Sequence, residues 1–173
     1  EQLWDIARPS DLCREENRLR KKRALSSIEE HTQDWTYLLT PKQQGYLEVY
    51  MDLWLSQKGT LPLEDPMCVF NLSQDPSHRA SWTLSGGALP TCTTGSLLWM
   101  PKRRRWLLPV EVAAAFGFPV RAQLAKAAQV PVDPCADDYV MRMLGNGMHV
   151  ANAGTALALT LACCAMVPGK IMA

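Results

Sequence analysis

A chain of 173 residues, 47% apolar and 20% charged, suits one medium domain with a real core and excludes a disordered chain. Eighteen Lys and Arg against seventeen Asp and Glu leave a formal net charge of +1, so overall charge names no partner. The distribution says more, because cations gather in "RLRKKR" (Arg18 to Arg23) and "KRRR" (Lys102 to Arg105).

In chain order, Ser10 is a candidate N-cap for a charged helix, "DLCREENRLRKKRALSSIEEH". Its apolar positions are sparse (Leu12, Leu19, Leu25, Ile28), which predicts a mostly solvated helix or one leaning on something outside this sequence. Thr40 followed by Pro41 starts a second helix with Pro at its first position. Leu47, Tyr50, Met51 and Trp54 follow helical spacing and give it a buried face, and Gly59 closes it. From Leu61 to Trp99 the texture is loop-rich, with short strands expected in "MCVFNL", "ASWTL" and "GSLLWM". After Pro109 the chain reads as helices near 109–116, 121–129, 137–143 and 147–166, broken by Gly117–Phe118–Pro119, "VPVDP" and "GNG". The expected organisation is a charged helical segment 1–35, a helix with a loop-rich recognition-like region 36–100, and a helical C-terminal part 101–173.

The six cysteines form no CxxC pair and have no His at zinc-ligand spacing, so no metal site is expected. They read as reduced thiols, and no signal peptide opens the chain, which places the expectation in the nucleus or cytoplasm. The first residue is Glu1, not Met, the pattern expected of a fragment or processed product. "MHVANAGTALALTLACCAMV" approaches membrane length, but His149, Asn152, Thr155 and Thr160 argue for a tightly packed helix instead.

Chemistry-bearing patterns are few. Lys102 to Arg105 lies between Trp99 and Trp106, interleaving cations that neutralise phosphate with rings that could stack on bases; from composition alone, a solvated charged turn is the favoured reading. Gly145, Asn146 and Gly147 open the last helix in this reading, where backbone N–H groups would attract an anion, although alone the motif reads as a plain helix-start turn. His31, His78 and His149 have no evident Cys or Ser partner, and Cys135 sits beside acids that oppose thiolate formation. The residues alone therefore give a domain with basic loops and no catalytic centre.

Taken together, three stretches resemble the C-terminal part of the C5 cytosine DNA methyltransferases, over about residues 65 to 166. A late family motif, roughly Arg-x-Leu-Thr-Pro-Arg-Glu running through a short helix to Gly-Phe-Pro, is matched by Arg105, Leu107, Pro109, Glu111, Gly117, Phe118 and Pro119. Leu108 and Val110 stand where the family is polar, which predicts a thinner polar network. The family's closing Gly-Asn-Ala-Val-Pro and its small-residue helix resemble "LGNGMHVANAGTALALTLA", about 25 residues further on. "LPTCTTGSLLW" resembles the threonine-rich end of the family's target-recognition region.

The resemblance implies an α+β fold: a recognition segment with short strands, then helices packed on a Rossmann-like sheet largely missing from this chain. It implies DNA contacts through Thr91, Thr93, Thr94, Lys102, Arg103, Arg104 and Arg105, and a structural brace at Glu111, Gly117, Phe118 and Pro119. One wall of an S-adenosylmethionine pocket would come from Gly145, Asn146 and Gly147. The family's nucleophilic Cys, its supporting Glu and its cofactor loop have no counterpart here, and Pro134–Cys135 fits neither motif order. The implied partners are DNA and the remainder of the methyltransferase domain in the same gene product, with no membrane and no metal; this chain alone would transfer no methyl group. The alternatives are a non-catalytic nucleic-acid-binding module and a helical interaction domain.

Overall fold

A computed structural model describes residues 6–83, 89–120, 122–127, 137–146 and 150–165. The fold is mixed α+β: helices surround a small three-stranded antiparallel sheet.

Helix α1 (Pro9–Lys22) starts one residue before the expected cap. Arg8, extended as residues before proline prefer, takes the N-cap position, and Pro9 occupies the first helical turn. The Arg8 N–H donates to Asp11 Oδ2 at 3.1 Å, so Asp11 satisfies an orphan donor where the helix dipole favours an anion. Ser10 lies inside the helix, exposed.

The helix also ends well before His31, with Ala24 in the left-handed region (φ 54°) turning the chain back. The returning segment is held by Asn17, whose side chain pairs with Ile28 like a strand neighbour, Nδ2 donating to its carbonyl at 2.9 Å and Oδ1 accepting its N–H at 2.8 Å.

The expectation of a mostly solvated α1 is corrected. Leu12 and Leu19 pack on the core, while Asp11, Glu15 and Glu16 are buried. Glu16 is wholly enclosed because three donors replace its water: Thr32 N–H at 2.7 Å, Thr32 hydroxyl at 2.6 Å and Tyr37 hydroxyl. Burial, reinforced by the Glu16 hydrogen bond, raises the Tyr37 hydroxyl above its ordinary pKa.

Helix α2 (Pro41–Lys58) follows its sequence signals residue for residue. Thr40 Oγ1 accepts the Gln43 N–H at 3.2 Å, Gln43 Oε1 accepts the Thr40 N–H at 2.9 Å, and Gly59 closes the helix at φ 69°.

The sheet runs β1 (Phe70–Asn71), β2 (Leu98–Met100) and β3 (Arg105–Trp106), in that order. Phe70 pairs with Trp99, and Trp99 with Trp106; Trp82 bridges Phe70 from the other side. All three expected strand stretches contribute, and β3 is an addition the arginine run concealed.

Alternation splits the apolar residues between two faces. Cys68, Phe70, Leu72, Trp99, Trp106 and Leu108 join Trp35, Leu38, Leu39, Tyr50 and Trp54 in an aromatic-rich cluster. Val69, Leu98, Met100 and Leu107 point the other way, onto Val112 and Ala113 of α3 (Pro109–Ala115) and Leu144 of α5 (Asp137–Asn146). Residues from all three expected segments thus share the sheet's two cores. Helices α4 (Ala122–Ala127) and α6 (Val150–Ala165) complete the described chain. Leu157, Leu159 and Leu161 of α6 are about 60% exposed, and α6 carries no charged residue. Among the described residues no helix is long and apolar enough to cross a membrane.

Candidate nucleic-acid interface

Strands β2 and β3 form a hairpin whose tip, Pro101–Arg104, carries most of the "KRRR" run. Proline needs no N–H partner at the turn, its carbonyl accepts the Arg104 N–H at 3.2 Å, and Arg104 closes the tip in the left-handed region (φ 49°). The register Met100 to Arg105 then fixes the direction of each cation.

Arg105 departs from the expectation that it faces a phosphate backbone. Its side chain is only 8% exposed and is clamped by the fully buried Glu111: Nη1 to Oε2 at 2.8 Å and Nη2 to Oε1 at 2.6 Å. Nη1 also donates to the Trp106 carbonyl at 2.9 Å, and Glu111 Oε2 accepts the Leu108 N–H at 2.7 Å. One carboxylate therefore caps the start of α3 and neutralises a buried guanidinium, joining helix to hairpin. Despite Leu108 and Val110, Arg105 and Glu111 are joined here through the Leu108 backbone instead of a side chain, while the buried Trp106 Nε1 has no hydrogen-bond partner among the described residues.

Two of the other tip cations, Lys102 and Arg104, stay outside. Lys102 is exposed and Arg103 half-buried. Arg104 is exposed, and its Nη1 pairs with Asp34 Oδ2 at 2.9 Å. The backbone is fastened independently, since the Arg104 carbonyl accepts the Trp35 N–H at 2.8 Å. Hydrogen bonding from Thr36, with a smaller contribution from Arg104, holds the Asp34 carboxyl below its usual range. Trp99 and Trp106 are 1% and 5% exposed and meet edge-to-face with centroids 5.0 Å apart, so they offer bases no stacking surface. The interleaving of cations with aromatics in sequence is cations outside and aromatics inside in space.

Thr91, Thr93 and Thr94 are exposed on a turn closed by Ser96, whose Oγ accepts the Thr93 N–H at 2.7 Å. This turn enters β2 at one end while the basic tip leaves it at the other. At strand rise the two lie on the order of 15 Å apart, so they form two patches, not one cluster. A groove of about 570 Å³ opens between α2 and the hairpin, lined in part by Leu47, Glu48, Met51, Asp52, Pro101 and Arg104.

Gly117, Phe118 and Pro119 form a helix stop. Gly117 sits at φ 83°, its N–H bonded to the Ala114 carbonyl at 2.9 Å, and the Phe118 N–H reaches Ala113 at 3.1 Å. Those two bonds are the paired closure that favours glycine after a helix, and Pro119 blocks continuation. With Glu111 at its start and Gly117 at its end, α3 is fixed at both termini.

Gly145 and Asn146 correct another expectation. They end α5 and do not open α6. A helix C-terminus presents carbonyls, not N–H groups, so the anion-binding argument fails there. Gly147 lies outside the described residues, as does Cys135. The described neighbours of Gly145 and Asn146 on α5, Val140, Met141 and Leu144, pack as apolar core. At Gly145 and Asn146 the carbonyl-presenting end of α5 therefore does not suit the carboxylate of S-adenosylmethionine.

Burial pushes the Cys92 thiol up to about 11 and raises Cys68 further, which leaves both protonated and poorly nucleophilic at neutral pH. Sequence reasoning missed Asp34, whose partner is 70 positions away, and Glu16, whose donors lie on another segment. No local pattern signals either. No known family model matches the chain, and no curated protein matches it.

Proposed function

We propose that this chain is the C-terminal segment of a DNA (cytosine-5) methyltransferase-like protein, with the hairpin tip against the DNA backbone. One observation carries the reading: the Arg and Glu of the stretch resembling the late family motif are joined in a buried two-bond clamp that ties α3 to the hairpin whose tip carries Lys102 and Arg103. Arg105 and Glu111 position the surface; Lys102, Arg103 and the hydroxyls of Thr91, Thr93 and Thr94 meet phosphate. Helix α6 supports the same reading, because an uncharged helix with three exposed leucines is suited to burial inside a larger domain. S-adenosylmethionine would supply the methyl group. Its pocket, like the catalytic Cys, would belong chiefly to the remainder of the domain in the same nuclear or cytoplasmic gene product.

Labelled methyl transfer from S-adenosylmethionine to a DNA duplex tests this. Transfer is expected from the longer gene product and none from the 173-residue chain alone. Absence of transfer by the longer product would end the methyltransferase reading. The second reading, a non-catalytic nucleic-acid-binding module, is favoured by the exposed cations Lys102 and Arg104 at the hairpin tip. A purely helical interaction domain fits poorly, because a sheet lies at the centre of the core.

A further inference from the structure

We propose that Asp34 sets the strength of the nucleic-acid surface by competing with phosphate for Arg104. This inference rests on the nucleic-acid reading above and adds to it a residue outside every sequence motif.

Three features separate competition from scaffolding. The ion pair is open, with side-chain exposures of 61% for Arg104 and 42% for Asp34, so a phosphate can reach the guanidinium. An exposed pair of this kind contributes little to stability and is readily exchanged. The tip does not depend on it either, because the Trp35 N–H holds the Arg104 carbonyl at 2.8 Å. Asp34 itself is anchored by the Thr36 N–H on Oδ1 at 2.8 Å, leaving Oδ2 for Arg104. Glu48 and Asp52 line the same groove as Arg104, and their negative charge disfavours phosphate on that side. Arg104 is thus a cation held in reserve: DNA must displace a fixed carboxylate before using it.

The test measures binding of a short fluorescent DNA duplex of mixed sequence to the full chain across a salt series. Asp34→Asn keeps an oxygen for the Thr36 N–H and removes the competing charge. It should tighten binding about threefold to fivefold at low salt and steepen the salt dependence by roughly 0.9 in log–log slope. Adding Arg104→Gln should cancel the gain. Wild-type binding with an unchanged or weakened Asp34→Asn variant would overturn the competition while leaving the nucleic-acid reading intact. A gain that survives Arg104→Gln would overturn it too, since the released charge would not be Arg104. A wild-type chain with no salt-sensitive binding would remove the underlying reading instead.

Discussion

Glu111→Gln should destabilise the chain by about 3–5 kcal/mol, the cost of leaving a buried cation unpaired. Such a loss is a large fraction of the total for a domain, typically about 5–15 kcal/mol. The amide keeps one oxygen for the Leu108 N–H or for Arg105, but turns an NH2 toward a guanidinium that can only donate. Urea unfolding with an unchanged slope would read the effect as a shifted midpoint. The paired replacement Arg105→Met with Glu111→Leu should recover most of the loss, because apolar isosteres owe no desolvation. A Glu111→Gln variant as stable as wild type would mean that Arg105 finds water or another acceptor, and the brace would not exist.

Trp99→Ala should cost a comparable amount, about 3–5 kcal/mol. Trp99 is 1% exposed at the middle of β2, pairs with both Phe70 and Trp106 across the sheet, and packs edge-to-face on the Trp106 ring. Its loss opens a cavity in the aromatic cluster and widens the groove beside α2. The milder Trp99→Phe variant separates packing from recognition. A buried ring predicts reduced stability with DNA affinity of the folded chain unchanged. Lost affinity in a still-folded Trp99→Phe chain would return the ring to the binding surface.

How far the sequence spoke depended on whether a signal was local. Helix α2 was fully legible because Thr40, Pro41, Gln43 and Gly59 act on their own neighbours. The end of α1 was not, because its return segment is held by the Asn17 side chain, which imitates a strand and leaves no periodicity. The strands are two or three residues long, so alternation had little room to show. The arginine run hid its own division: four similar cations look alike in composition, but strand register turns Arg105 inward and leaves Lys102 and Arg104 outside. Gly145 and Asn146 misled because a Gly-Asn pair serves a helix end as readily as a start.

The stretch from Arg105 to Pro119 is tied together at three points. Glu111 starts α3, Gly117 ends it, and Arg105 ties it to the hairpin. That arrangement explains why an apolar helix and a basic turn are adjacent in sequence: the first holds the second in place. The hydroxyl-rich turn at Thr93–Ser96 is a separate patch at the other end of β2, so a DNA duplex would have to span both.

The most direct measurement is the salt dependence of DNA binding by the wild-type chain and by the Lys102→Gln, Arg103→Gln double variant, with folding checked by circular dichroism. The account predicts wild-type affinity that falls linearly on a log–log plot. The double variant should have a slope shallower by roughly 1.8, because two phosphates are no longer neutralised. Equal slopes and equal affinities in two folded proteins would contradict it.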